Sequence, residues 1–63
     1  MENRIKEIRK EKGLKQEELA KKSGVARTVI SQLENGSRQV ITTDTMVKLS
    51  KGLETPIESI FMM

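Results

Sequence analysis

Residues 16–36 read QEELAKKSGVARTVISQLENG, and this stretch decides the fold. Its first part carries Leu19 and Ala20 on one side and ends at Gly24, a residue suited to the left-handed turn that ends a helix. After this glycine, apolar residues recur with the i, i+4, i+7 spacing of a helix, at Ala26, Ile30 and Leu33. Asn35 and Gly36 then close the segment. The stretch therefore predicts two short helices joined by a tight turn, over residues 16–23 and about 26–35.

Glycines and one proline divide the rest of the chain into segments of helical length. The first segment predicts a helix over about residues 3–12, and Thr42 predicts the N-cap of a helix that runs to about Gly52. The last segment predicts a helix over residues 56–62, capped by Thr55 in a reciprocal capping box with Glu58. The expected fold class is all-α, with five short helices.

Composition limits the chemistry that 63 residues can perform. The chain has no Cys and no His, so it lacks the usual zinc ligands and nucleophile–base pairs. Its acidic residues are dispersed along the predicted helices, and we expect no enzyme, no metal and no cofactor. The longest apolar run, at residues 60–63, is far shorter than the roughly 20 residues that span a bilayer. We therefore expect a cytoplasmic protein that has no membrane partner.

Basic residues are concentrated in the first four-fifths of the chain. Residues 1–51 contain twelve Lys and Arg and seven Asp and Glu. The charged residues in 52–63 are two glutamates, so the net charge of the chain is +3. This asymmetry suits a polyanionic partner, nucleic acid first and an anionic membrane surface second. A solvated helical surface without a partner is the alternative interpretation of the same charges.

Four motifs follow one another along the chain: GLKQEELA at residues 13–20, SGV at 23–25, ISQLENG at 30–36 and TMVKLSKGL at 45–53. Together they resemble the Xre/Cro-repressor family of helix-turn-helix regulators, and the resemblance extends across the whole chain. It implies a compact five-helix, repressor-like DNA-binding domain over residues 1–63, in which the second and third helices form the helix-turn-helix.

The chain departs from the family pattern at several positions. Lys15 and Ala26 stand where the family usually has a capping Thr or Ser, so two helix starts lose a side-chain cap. The loop after Gly36 is one residue longer than usual, and Ile41 occupies the usual proline position. Glu54 replaces the usual glycine after the fourth helix.

The third helix is the expected reader of DNA. A rotation of 100° per residue, with its apolar positions inward, turns Thr28, Ser31 and Gln32 outward and puts Arg27 at the N-terminal shoulder. Polar residues on any surface helix have this placement, so the pattern alone does not require a ligand. The family resemblance implies that these four residues contact base edges in the major groove.

Phosphate contacts are expected at helix ends, where backbone N–H groups attract anions. The resemblance implies a contact from Gln16, and the turn at Asn35 and Gly36 offers backbone N–H groups to the adjacent strand. Lys15 and Arg38 are expected as auxiliary contacts. Seven other lysines are expected to cover solvated helix surfaces, namely Lys6, Lys10, Lys12, Lys21, Lys22, Lys48 and Lys51.

Two further expectations concern structure rather than DNA. The resemblance implies an ion pair between Arg9 and Glu34 that holds the third helix against the first. Phe61, Met62 and Met63 add apolar surface at the C terminus, which predicts contacts of a homodimer at least on DNA. The alternative is that Phe61 completes the core and the two methionines fray.

The sequence thus predicts a sequence-specific, double-stranded DNA-binding transcriptional regulator. Its simplest form is a Cro-like or immunity-type repressor that binds a palindromic operator as a dimer and takes no small-molecule ligand. An antitoxin-type protein-interaction module with accessory DNA binding is the alternative. The neighbouring coding sequence distinguishes them, because a toxin gene beside this one favours the second.

Overall fold

The chain forms five α-helices in a computed structural model that describes residues 3–38 and 40–61. The helices are α1 (Ile5–Glu11), α2 (Gln16–Ser23), α3 (Arg27–Asn35), α4 (Thr43–Leu53) and α5 (Ile57–Ile60). The described residues contain no β-strand, and the predicted all-α class with five helices is confirmed. None of these helices is both long enough and apolar enough to cross a membrane.

A single apolar core joins all five helices. Its buried members are Ile5, Ile8, Leu19, Val25, Ile30, Leu33, Leu49, Leu53, Ile60 and Phe61. Phe61 is only 1% exposed, so the prediction that it is a dimer contact is wrong for this structure: its ring fills the core of its own chain. The predicted contacts Met62 and Met63 lie outside the described residues.

The two ends of the described chain lie side by side and are bonded to each other. Asn3 and Phe61 form an isolated antiparallel bridge, and the Arg4 N–H donates to the Ile60 carbonyl at 2.7 Å. The Asn3 side chain also donates to the carbonyl of Leu33, near the end of α3, at 3.1 Å. Asn3 is therefore in extended backbone, and α1 begins at Ile5, two residues later than predicted.

The α2 and α4 helices approach most closely at Gly52. A Cβ on this residue would lie 2.8 Å from the Cβ of Ser23, at the end of α2, which is closer than two carbon atoms can pack. Gly52 was predicted to end its helix, but it lies inside α4, which continues to Leu53. The glycine thus permits a close crossing of helices.

The helix starts confirm some of the capping predictions. The Thr42 hydroxyl accepts a hydrogen bond from the Thr45 N–H at 3.2 Å and caps α4 as predicted. Neither Lys15 nor Ala26 caps its helix with a side chain. In α2, however, the Glu18 carboxylate accepts a bond from the Lys15 N–H at 2.8 Å. This bond supplies part of the stabilisation that the missing cap would give.

The predicted capping box of α5 does not form. Pro56 is the N-cap residue of α5, and the Thr55 hydroxyl points back and donates to the Leu53 carbonyl at 2.9 Å. The Ser50 hydroxyl donates to the carbonyl of Thr55 at 2.6 Å. Thr55 is therefore hydrogen-bonded to residues of α4, and its hydroxyl does not cap α5.

Glu54 follows α4 in the left-handed conformation, with φ of 52°, the one non-glycine residue of the described chain with positive φ. A side chain in this conformation costs about 1 kcal/mol or more.

We expect Glu54→Gly to raise the free energy of unfolding by about 1 kcal/mol and the melting temperature by about 4–8 °C. Thermal unfolding followed by circular dichroism measures the change. The matched control is Glu54→Gln, which removes the charge but keeps the Cβ and should melt like the wild type. An equal rise in both variants would contradict the conformational explanation.

Candidate nucleic-acid interface

The N-terminal ends of α2 and α3 together form an open groove of about 250 Å³. The residues that line it are Gln16, Arg27, Thr28, Ser31 and Gln32. The structure thus brings the four residues predicted to contact bases together with the first predicted phosphate contact. The groove is open to solvent, and a broad partner fits it better than an enclosed small molecule.

The packing of α3 determines which side chains reach this groove. Ile30 and Leu33 are 0% and 2% exposed and hold one side of the helix in the core. On the other side Arg27 and Thr28 are exposed, and Ser31 and Gln32 are half-buried. Ser31 and Gln32 lie one helical turn after Arg27 and Thr28, so the four residues form a continuous surface along the helix.

The first turn of α3 has an unusually positive character. Its N-cap residue Ala26 makes no side-chain capping bond, and the turn contains no acidic residue. Arg27 adds a cation where the helix dipole already favours anions. Its side chain is 61% exposed, and its nearest carboxylate is Glu17 of α2, at 3.7 Å. This long, exposed contact leaves the guanidinium available to another anion.

A bidentate ion pair connects α1 with α3. Arg9 Nε donates to Glu34 Oε2 at 2.8 Å and Arg9 Nη2 donates to Glu34 Oε1 at 3.0 Å. The two side chains are 10% and 4% exposed, and Arg9 Nη1 also donates to the Leu14 carbonyl at 2.8 Å. The predicted pairing of these residues is present in the structure and is almost completely removed from solvent.

Glu34 also accepts a hydrogen bond from Gln16, the first residue of α2, whose Nε2 lies 3.1 Å from Glu34 Oε1. Burial by itself raises the pKa of Glu34, but the hydrogen bonds from Arg9 and Gln16 and the charges of Arg9 and Lys6 outweigh it. The net pKa is lower than that of an ordinary glutamate, so the carboxylate is ionised near neutral pH. The bond also orients the amide of Gln16, whose Nε2 has a second hydrogen to donate.

A second recess adjoins the groove and shares Gln16 and Ser31 with it. Its other lining residues are Lys6, Arg9, Glu34 and Asn35. Lys6 was expected to cover a solvated surface, and its place beside this recess is a position that sequence analysis missed. The available signal was its spacing of three residues from Arg9, which puts both on one side of α1.

The remaining predicted phosphate contacts lie at the edges of these two surfaces. Lys15 is exposed immediately before α2. Asn35 ends α3, and its Oδ1 accepts a bond from the Ser37 N–H at 2.9 Å. Gly36 follows in the left-handed conformation with φ of 80°. This bond and the left-handed glycine define the turn that leads from α3 to the following loop.

Arg38 contacts Gln32, so one predicted phosphate contact meets one predicted base contact. Arg38 Nε donates to Gln32 Oε1 at 3.0 Å, and the Arg38 N–H donates to the Gln32 carbonyl at 3.2 Å. The loop therefore folds back on α3 at this residue.

Comparisons with known proteins agree with this architecture. A family profile described as helix-turn-helix matches residues 5–60. The ImmF control region 10 kDa protein of Bacillus phage phi105 is 48% identical over 46 residues, which are 73% of this chain and 50% of that protein. The chain therefore spans about half the length of this relative.

Two crystal structures of the restriction-modification controller protein C.Esp1396I are also similar, each with 48% sequence identity. The wild-type controller aligns with a TM-score of 0.75 and a point mutant with 0.76. Each alignment covers 82% of this chain and 66% of the controller.

The buried ion pair generates a prediction on stability and pH. Because the pKa of Glu34 is lowered in the folded chain, the ionised carboxylate stabilises the fold above the unfolded pKa of about 4.3. This contribution disappears as the pH falls through the folded pKa. Removing Arg9 leaves the carboxylate without its charged partner, so Arg9→Ala should lower the free energy of unfolding at neutral pH by about 3–5 kcal/mol.

The difference in free energy of unfolding between wild type and Arg9→Ala should become smaller on acidification, because a protonated Glu34 carries no charge for Arg9 to neutralise. Urea denaturation at neutral pH and near the Glu34 pKa measures both differences. Arg4→Ala is the control, because it breaks the exposed Arg4–Glu7 pair at 2.7 Å and should change stability little at either pH. A difference independent of pH would show that the effect of Arg9 does not pass through Glu34.

Proposed function

Because the chain belongs to the Xre/Cro type of helix-turn-helix DNA-binding regulators, we propose that it recognises a specific double-stranded DNA operator with α3 in the major groove. The family is one of DNA-binding regulators and is not a family of enzymes. The observation that carries the proposal is the groove where Gln16 meets the outward residues of α3, at the uncapped and positively charged N-terminus of that helix.

The four groove residues on α3 are our proposed base contacts, and their chemistry suits this role. Arg27 has the donors to bond guanine O6 and N7, and the Thr28 methyl can contact a thymine methyl. The amide of Gln32 has a donor and an acceptor for the base edge, and the Ser31 hydroxyl can serve either purpose. Specificity would therefore reside in one short helical surface.

Phosphate contacts would flank this surface and hold α3 in register. We assign them to Gln16, Lys15, Asn35 and Gly36. Gln16 is the best supported, because Glu34 orients its amide at the start of α2, where the helix dipole also favours an anion. Such contacts position the protein on the duplex without reading its sequence.

The names of two relatives support a regulatory role. One is named as a phage control region protein and the other as a restriction-modification controller. For this chain we propose the activity of a Cro-like or immunity-type repressor, which would occlude a promoter in the cytoplasm. It would bind a palindromic operator as a two-fold dimer, with half-sites about 10 base pairs apart. We propose Met62 and Met63 as contacts of that dimer, because Phe61 is buried in the core of its own chain.

Selection of bound duplexes from a random DNA pool tests the proposal. We expect one enriched motif, with an affinity that falls steeply as salt rises. The logarithm of the association constant should decrease with the logarithm of the salt concentration by about 0.9 for each phosphate neutralised. A pool without enrichment, or an affinity that hardly depends on salt, would contradict the proposal.

The division between base and phosphate contacts predicts a contrast between two glutamines. Gln32→Ala should cost about 1–3 kcal/mol at one base pair of the selected operator and relax discrimination there. Gln16→Ala should weaken binding to all duplexes about equally, because phosphates carry no base identity. Affinities of both variants for every single-base change of the operator measure the contrast. If Gln32→Ala keeps the wild-type preferences at every position, α3 does not read DNA through this residue.

A further inference from the structure

Gln32 and Arg38 are joined by two hydrogen bonds, although they lie six positions apart in the sequence. The side-chain bond links Arg38 Nε to Gln32 Oε1 at 3.0 Å, and the backbone bond links the Arg38 N–H to the Gln32 carbonyl at 3.2 Å. The left-handed Gly36 and the bond between Asn35 Oδ1 and the Ser37 N–H bend the chain between them. Arg38 is therefore fixed to Gln32 at its backbone and at its side chain.

This pairing determines which amide atom of Gln32 faces the arginine. A guanidinium has only donors, so the atom of Gln32 opposite Arg38 Nε must be the acceptor Oε1. The amide nitrogen is itself a donor, so it cannot accept from the guanidinium and can pair only with an acceptor. A glutamine without such a partner can rotate its amide and direct both the oxygen and the nitrogen at one base.

We propose that Arg38 is a specificity-determining residue of this DNA surface, which acts by holding the amide of Gln32 with its oxygen toward the loop and its nitrogen toward the base edge. The inference rests on the proposed function and deepens it. Bidentate recognition of adenine needs the glutamine oxygen for N6 and the nitrogen for N7. The bond from Arg38 occupies one lone pair of Oε1 and fixes its direction, so it competes with the bond to adenine N6. The surface therefore favours acceptors that pair with the amide nitrogen: O6 and N7 of guanine, or O4 of thymine.

This role differs from the phosphate contact that the sequence predicts for Arg38. A phosphate contact affects all duplexes alike, whereas a residue that orients Gln32 affects the preference at one base pair. The two roles therefore produce different binding profiles from the same substitution. Arg38 is exposed and Gln32 is half-buried at the surface, so substitutions at Arg38 should leave the fold intact.

The experiment uses the selected operator and measures affinity for every single-base change in it. The variants are Gln32→Ala, which identifies the base pair that Gln32 reads, Arg38→Ala, Arg38→Lys and the double variant. We expect Arg38→Ala to shift the preference at that base pair toward adenine by about three- to tenfold relative to the other bases. Arg38→Lys keeps the charge but not the planar guanidinium, so it should keep the overall affinity and still shift the preference.

In the double variant, loss of Arg38 should have no further effect at that base pair, because no amide remains to be oriented. Uniform weakening of all duplexes by Arg38→Ala, with the preference at the Gln32 base pair unchanged, would overturn the inference and leave Arg38 as a phosphate contact. An equal shift in the presence and absence of Gln32 would also overturn it, because Arg38 would then read the base itself. A wild-type chain that enriches no motif would instead refute the proposed function. Circular dichroism of each variant verifies that the fold is intact.

Discussion

The bonds of Arg9 and Gln16 to the carboxylate of Glu34 connect three helices, and the position of α3 depends on them. Arg9 lies on α1, Gln16 begins α2, and Glu34 is one residue from the end of α3. Burial of two charges costs free energy, and it is tolerable here because both carboxylate oxygens accept bonds and the guanidinium also reaches Leu14. Among the described residues, no buried side-chain nitrogen or oxygen lacks a partner. This network fixes α3 relative to α1 and α2.

The start of α3 has locally unfavourable features that are absent from α4. The α4 helix begins with a capping Thr42 and has Asp44 in its first turn, where a negative charge interacts well with the helix dipole. The α3 helix begins without a cap and places Arg27 at the same end. Packing of Ile30 and Leu33 in the core offsets this weakness. Such a conflict between local preference and the fold is expected where a surface serves a ligand, and an anion at the start of α3 would remove it.

Most of the fold could be predicted from local sequence, because helix periodicity and turn chemistry act over a few residues. The glycine at position 24 and the apolar spacing after it predicted both helices of the helix-turn-helix and the direction of Gln32. The family resemblance added the ion pair of Arg9 with Glu34, which no periodicity could have revealed across 25 residues. Helix ends were less predictable, since a capping side chain has several possible partners. Thr55 bonds to the end of α4 and does not cap α5.

The sequence by itself therefore determined the number and order of the helices and which residues of α3 point away from the core. Only the tertiary structure decided what these residues meet. An apolar residue such as Phe61 suits a dimer surface as well as a core. In the structure its backbone pairs with that of Asn3, near the other end of the chain, and its ring is buried. Gln32 lies on α3 and Arg38 in the loop that follows it, and the bend after α3 brings their side chains together. The physical reason is that periodicity specifies a direction, whereas a contact also requires the path of the intervening chain.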